Sequence, residues 1–292
     1  MQTNKKIIGI DIGGTKIHMG DVQDGIINKE IKFSTSARAS KEKILEDIVM
    51  GVARLMTEDT VGIGIGVPGL VDENLGIVHN VQNIPSWNKV ALKEYIESYF
   101  NKPVYITNDG NTFTAGEKMY GKGSVYNNFV GITLGTGFGT GLIIDNKIYS
   151  GNYSSAGEFG GMPYLDQTLE DYCSGKFFVK KFGIHGEKLM SLAENGDKRA
   201  LEIFEQFGNH LGNAIKIILY AISPEAVILG GSVSKGYSYF EEAMHRSIQS
   251  FPFKLIKNNL IIERSVIPNI SILGSAALFQ MRSTMNWENN NK

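Results

Sequence analysis

Ile8-Gly9-Ile10-Asp11-Ile12-Gly13-Gly14-Thr15-Lys16 is an apolar run that breaks into a carboxylate, two glycines, a hydroxyl and a lysine, and its reading decides the fold. The pattern suits a strand feeding a phosphate-binding turn. Without Cβ atoms, Gly13 and Gly14 let backbone N–H groups close on an anion, while Thr15 and Lys16 add donors and positive charge. A plain hairpin turn between two strands fits the same residues. The spacing is not the Gly-x-x-x-x-Gly-Lys-Ser/Thr of a P-loop. Nor does a helix follow, as a dinucleotide fingerprint requires, because Ile17-His18-Met19-Gly20-Asp21-Val22 continues as a strand.

Working outward, 292 residues are enough for about two domains of ~150 residues, hence two cores with a cleft between them. A composition of 42% apolar and 20% charged residues is that of an ordinary globular protein. Lys and Arg number 29 against 30 Asp and Glu, so no global charge draws nucleic acid or an anionic membrane, and phosphate binding must come from local geometry. A single cysteine, Cys173, leaves no internal disulfide and no cysteine-rich metal cluster, in keeping with a reducing cytoplasm. No run of about 18 apolar residues predicts a membrane span, and residues 1–6 lead into a strand rather than a signal-peptide core.

From Lys6 to about Phe33 three β-rich runs, parted by Gly13-Gly14 and Gln23-Asp24-Gly25, predict an antiparallel meander. Ser40 offers an N-cap to a helix with Ile44, Ile48, Val52 and Leu55 on one face, ending near Glu58. Val61 to Val67 reads as a buried strand with glycine on alternate positions, Gly76 to Asn80 as a short strand, and Val90 to Phe100 as an amphipathic helix. Val104 to Thr107 is then a strand running into Asn108-Asp109-Gly110-Asn111, with Asn111 as cap of a helix through Glu117. Strands alternating with helices predict an α/β layered domain over residues 1–115. The pattern then restarts. Phe129 to Leu134, the turn Gly135-Thr136-Gly137-Phe138-Gly139-Thr140-Gly141, Leu142 to Ile144 and Lys147 to Tyr149 repeat the first meander in a second domain, 116–292. Helices follow at about 169–182, 186–193 and 198–221, a strand at 226–229 delivers Gly230-Gly231-Ser232, and a helix at about 237–250 and a strand at 260–262 come next. The last helix, about 272–283, is expected to pack back on the first domain, ahead of a frayed polar tail, 288–292.

Two facing glycine turns favour the phosphate reading of both. Phosphoryl transfer also needs a carboxylate able to take the proton of an incoming hydroxyl. Asp109, beside Asn108 at a strand end, is the candidate, with a helix cap as the structural alternative. Gly230-Gly231 suits an adenine or ribose against bare backbone, or a simple strand-to-helix turn.

Taken in order, these motifs resemble the sugar kinases of the ROK family (repressor, open reading frame, kinase), within the actin and hexokinase superfamily, with glucokinase- and fructokinase-type members. The resemblance covers essentially the whole chain. It implies an α/β fold of two similar actin-like, ribonuclease H-like ATPase domains. Asp11-Ile12-Gly13-Gly14-Thr15-Lys16 resembles the first phosphate motif, Gly66-Val67-Pro68-Gly69 the sugar-side turn, and Asn83-Ile84-Pro85-Ser86-Trp87 the segment whose asparagine binds a sugar hydroxyl. Asn108-Asp109 resembles the catalytic pair, Gly135 to Gly141 the second phosphate motif, Gly157-Glu158-Phe159-Gly160 the sugar-binding glutamate segment, and Gly230-Gly231 the adenosine turn.

The resemblance therefore implies ATP-dependent, Mg2+-requiring phosphorylation of a hexose or hexose derivative, with Asp109 as general base. Gly66, Asn83, Asn108, Asp109, Glu158 and Glu170 would bind sugar. Asp11, Gly13, Gly14, Thr15, Lys16, Thr136, Gly137, Gly230 and Gly231 would bind ATP or its phosphates, with Mg2+ near Asp11. Two departures are visible. Gly161 stands where glucokinase-type members carry a histidine, and 162–168 is shorter than the cysteine-rich zinc loop, so no structural zinc is expected and the sugar is left open. Cytoplasmic location and a homodimer are also implied, with no nucleic-acid or membrane partner. A sugar-binding regulator without catalysis is the alternative; a DNA-binding repressor is disfavoured because ten residues precede Asp11.

Overall fold

The structure, a computed structural model, describes residues 5–81 and 83–290, without the side chains of 284–290. The expectations for residues 1–4 and 291–292 lie outside the described residues. The chain divides into two compact units: residues 1–124, 148–156 and 267–292 form the first, and 125–147 with 157–266 the second.

The first unit is built on a five-stranded sheet. Its first strand, Lys6–Ile12, runs antiparallel to Lys16–Gln23, which pairs with Ile26–Ser34; on its other side it runs parallel to Thr60–Val67, which pairs with Val104–Asn108. Successive side chains of a strand face opposite ways. Ile8, Ile10 and Ile12 therefore enter a core with Ile44, Ile48, Val52 and Leu55 of the helix Lys41–Leu55. Ile7 and Val22 face the other way, against Ile272, Leu273, Ala276 and Phe279 of the C-terminal helix. The alternating glycines of Thr60–Val67 belong to this second face. A Cβ at Gly64 would lie 1.7 Å from the Ser275 carbonyl oxygen, so only bare backbone lets the helix lie on the sheet. The same helix also packs on Asp109–Tyr120, closely enough that a Cβ at Gly274 would meet the Thr112 carbonyl oxygen at 1.7 Å.

Several boundaries differ from expectation. Asn108, not Asn111, caps the helix after the fifth strand: its Oδ1 accepts from Gly110 N at 2.8 Å, and the helix runs Asp109–Tyr120. The expected helix from Val90 begins at Leu92, because Lys89–Ala91 pairs with Ile77–His79 in a small sheet that also holds Leu70–Asp72. The C-terminal helix spans Ile270–Asn290, beyond the expected end and into the tail expected to fray, since no Gly or Pro interrupts the chain after Gly274.

The second unit repeats the plan. Phe129–Leu134 is antiparallel to Phe138–Ile144, beyond which lies Lys147–Ile148; its other edge is parallel to Ala226–Gly230, and that strand to Ile261–Arg264. The long helix Lys198–Ala221 and the helix Tyr237–Ile248 pack together, and Phe177, Phe178, Phe204, Phe207 and Phe240 form a buried aromatic core between helices. The single helix expected over 169–182 is two, Leu169–Cys173 and Gly175–Phe182. Ser174 is extended between them, and Gly175 N donates to the Gly135 carbonyl at 2.8 Å, drawing the break onto the glycine turn. Among the described residues no helix is long and apolar enough to cross a membrane.

Candidate active site

In the first unit the strand register assembles the candidate residues. Asp11 lies opposite Gly66, Gly66 opposite Thr107, and Val67 opposite Asn108, so three parallel strands deliver them at their carboxyl ends. The turn after Asp11 is tight: Gly13 N donates to Lys16 O at 2.9 Å, and the Thr35 hydroxyl closes on Gly13 O at 2.6 Å. Thr15 and Lys16 are exposed at its tip. Gly14 abuts Asn83, where an added Cβ would come within 2.3 Å of the Asn83 Cβ. Asn83 itself is exposed, on a turn anchored by buried Ile84 and Trp87. Asn108 uses Oδ1 for the helix cap and donates from Nδ2 to Gly69 O at 3.2 Å, tying the catalytic-pair candidate to the expected sugar-side turn.

Electrostatics mark the same place. Burial, then the neighbouring charge of Asp109, pushes the Asp11 carboxyl up to about 7 against the opposing pull of Lys16. Asp109 is also raised, by burial, with partial relief from the Gly110 N–H, which donates to its Oδ1 at 2.9 Å. Two carboxylates short of compensating charge suit a proton acceptor and a cation-bearing ligand better than a structural ion pair. Asn111, one turn into the helix, is fully buried and donates to Thr107 Oγ1 at 3.0 Å; its Oδ1 has no partner among the described residues.

In the second unit a cavity of about 570 Å³ opens beside the glycine turn, lined by Gly135, Thr136, Lys176, His185, Met190 and Ser232 among others. Gly135 N donates to Gly137 O at 3.0 Å, and Thr136 is exposed at the tip. Gly230 pairs opposite Thr133, and Gly231 takes φ +83° with an added Cβ 2.4 Å from Leu134 O, a position that excludes any side chain. Glu170 is drawn to this turn: one carboxylate oxygen accepts from Phe138 N at 3.0 Å, and the other pairs with Lys176. Glu158 is exposed just before the turn Phe159–Gly161, which docks on the Phe138 carbonyl through Gly160. Sequence reading missed Lys176, His185 and Met190. Their signal was weak, a lysine directly after Ser174-Gly175, and a histidine just before and a methionine within the helix Gly186–Glu194 of ordinary amphipathic pattern.

The short connection after Gly161 is a hairpin of Pro163–Tyr164 with Gln167–Thr168. An aromatic box holds it. The Tyr164 hydroxyl bonds His210 Nδ1 at 3.1 Å and accepts from Asn213 at 2.8 Å, while Tyr172 stacks within 4.7 Å of His210 and under the Lys181 ammonium. Burial and the Lys181 charge depress His210 to about 4, so the imidazole is neutral at pH 7. Burial raises the Cys173 thiol, which makes it an inert core residue. Among the described residues no three or more His, Cys, Asp and Glu side chains gather as a metal-binding group.

Two sheets of one strand order, each with a glycine turn between its first two strands, define the actin-like ATPase class of fold. The chain belongs to the ROK family, whose sequence profile matches residues 7–282. It is 27% identical to a glucokinase of Thermotoga maritima, over 95% of this chain and 98% of that one. It is 29% identical to a xylose repressor of Bacillus spizizenii, covering 94% of this chain and 78% of the repressor. Among solved structures, a ROK family glucokinase from Streptomyces griseus in complex with glucose and AMPPNP matches with TM-score 0.81 and 27% identity, over 94% of this chain and 98% of that chain.

Proposed function

We propose that the chain is an ATP-dependent carbohydrate kinase that phosphorylates a hydroxyl of a hexose or hexose derivative. The observation that carries this reading is the Asp109 carboxyl, held at the end of its strand beside Asp11, with burial raising its proton affinity. Asp109 accepts the hydroxyl proton as the sugar oxygen attacks the γ-phosphorus; the bond from that phosphorus to the β-bridging oxygen breaks, and ADP and a sugar phosphate result. A positioned base contributes on the order of 10²–10⁴-fold to such a step. Asn83, Asn108, Glu158 and Glu170, with the bare backbone of Gly66, bind the sugar. Gly13, Gly14, Thr15, Lys16, Thr136 and Gly137 hold the phosphates, and Gly230 and Gly231, which lead into Ser232 on the cavity wall, take the adenosine. Mg2+ enters as part of the ATP substrate, and Asp11 fits the role of ordering the water on that metal, because a cation relieves the crowding of two half-buried carboxylates.

A homodimer in the cytoplasm belongs to the same reading, the oligomer to be checked by sedimentation. The test of the reaction is ATP turnover against a panel of hexoses, with Asp109→Asn assayed beside the wild type. Turnover by the wild type and its loss in the variant are expected; full activity in the variant would remove Asp109 from the role of base. The similarity to a xylose repressor supports a second reading, a sugar-binding regulator without catalysis. Sugar binding with no ATP consumption for any sugar would select it.

A further inference from the structure

One buried polar cluster in the first unit lies outside the groups assigned above. Glu73, in the turn after Leu70–Asp72, receives three donors. Its Oε1 accepts from the Thr107 hydroxyl at 2.5 Å and from the Ser154 hydroxyl at 2.9 Å, and its Oε2 pairs with Arg282 of the C-terminal helix. Arg282 also donates to Ser150 Oγ at 3.2 Å. The turn that carries Glu73 is itself pinned, because Asp72 Oδ1 accepts from Asn74 N and Leu75 N at 3.1 and 3.0 Å. Ser154 and its neighbour Tyr153 hold φ of +54° and +52°, conformations that persist only where surrounding bonds over-determine them.

A carboxylate only accepts, so Glu73 dictates the direction of every bond it makes. Thr107 must donate its one hydroxyl proton to Glu73. Its oxygen is then left to accept from Asn111 Nδ2, as observed at 3.0 Å. The ordered run from Asn111 through Thr107 to Glu73 straddles the catalytic-pair candidate: Thr107 directly precedes Asn108-Asp109, and Asn111 follows two residues later. Thr107 and Asn111 are both fully buried, so water offers no substitute partner.

We propose that Glu73 is a positioning residue for Asp109, acting through Thr107 and Asn111 to hold the strand end and first helical turn, with Arg282 supplying the charge that keeps the carboxylate in place. The inference rests on the reading of Asp109 as the base, but the geometry it predicts can be measured without turnover. Amide hydrogen exchange on the full chain is compared for wild type, Thr107→Val, Thr107→Ser and Glu73→Gln. Thr107→Val keeps shape while removing the hydroxyl, and is expected to speed exchange at residues 108–111 about tenfold while amides of Lys198–Ala221 keep their protection. Thr107→Ser restores the hydroxyl and should return that exchange to within about threefold of wild type. Glu73→Gln keeps an acceptor oxygen but loses the pairing with Arg282, and should fall between them. In turnover, Thr107→Val should lower kcat about tenfold or more with KM for ATP unchanged. Unchanged exchange at 108–111 in Thr107→Val overturns the proposal whatever the activity, as does equal acceleration by Thr107→Ser. A wild type that phosphorylates no sugar refutes the kinase reading alone, and the exchange data still decide the positioning.

Discussion

Replacing Asp109 with Asn separates chemistry from stability in a way that follows from the charges around it. The amide is isosteric and keeps an oxygen to accept from Gly110 N, so the helix start survives. Loss of a positioned base should cost 10²–10⁴-fold in kcat, about 3–5 kcal/mol. Stability should move the other way. The folded-state pKa of Asp11 is raised from 3.8 to about 7, so between those values the folded chain binds more protons than the unfolded one. Its contribution is complete below pH 3.8 and is lost as pH rises through 7, at most about 4 kcal/mol over that window. The Asp109 carboxyl is raised too and adds a loss of the same sign. Removing the Asp109 charge takes away the second-largest cause of the Asp11 shift as well as the cost of burying Asp109 itself. The variant should therefore be more stable than wild type at pH 8 and nearly equal at pH 4. Urea unfolding at the two pH values, run with steady-state ATP turnover, is the assay. A variant that is less stable at pH 8, or as active as wild type, would refute the reasoning.

Gly64→Ala forces a Cβ to within 1.7 Å of the Ser275 carbonyl oxygen and should destabilise the first unit by about 3 kcal/mol, read from the denaturant midpoint. His210 titrates with the opposite sign to Asp11. Its folded pKa lies near 4, below the usual 6.5, so the folded chain binds fewer protons than the unfolded one and stability is lost as pH falls from 6.5 towards 4. Discounted for partial exposure this amounts to about 1–2 kcal/mol, and His210→Gln should flatten the fall in Tm between pH 7 and 4.5 relative to wild type. Lys176→Met removes a cation from the cavity wall and should raise KM for ATP about tenfold, by initial-rate kinetics.

Much was legible in local pattern. The alternation in Ile7 to Ile12 and in Val61 to Val67 announces strands with two different faces, and the helix Lys198–Ala221 falls where its apolar spacing puts it. The repetition of a strand, a glycine turn and a second strand at Asp11 and at Gly135 is enough to expect a duplicated sheet, because turn chemistry and side-chain period are properties of neighbouring residues. Tertiary contacts decided the rest. Ser174-Gly175 is a local break signal that the apolar spacing of 169–182 obscures, and what draws the break onto the glycine turn is the Gly135 carbonyl, distant in sequence, which takes the Gly175 N–H. Why Gly62 and Gly64 carry no side chain becomes plain only when the C-terminal helix lies on them. Glu170 reads in the sequence only as a sugar-binding residue by resemblance, and the fold sets it between Phe138 N and Lys176. Glu73 and Arg282 are separated by 209 positions, and no periodicity connects them. The sequence by itself thus determined the strands, the glycine turns and the residue types of the site, since these depend on local backbone preference. Which carboxylates are crowded, which are neutralised and which hydroxyls they orient depends on burial and on partners brought together by the chain's return, and only the tertiary structure decided that.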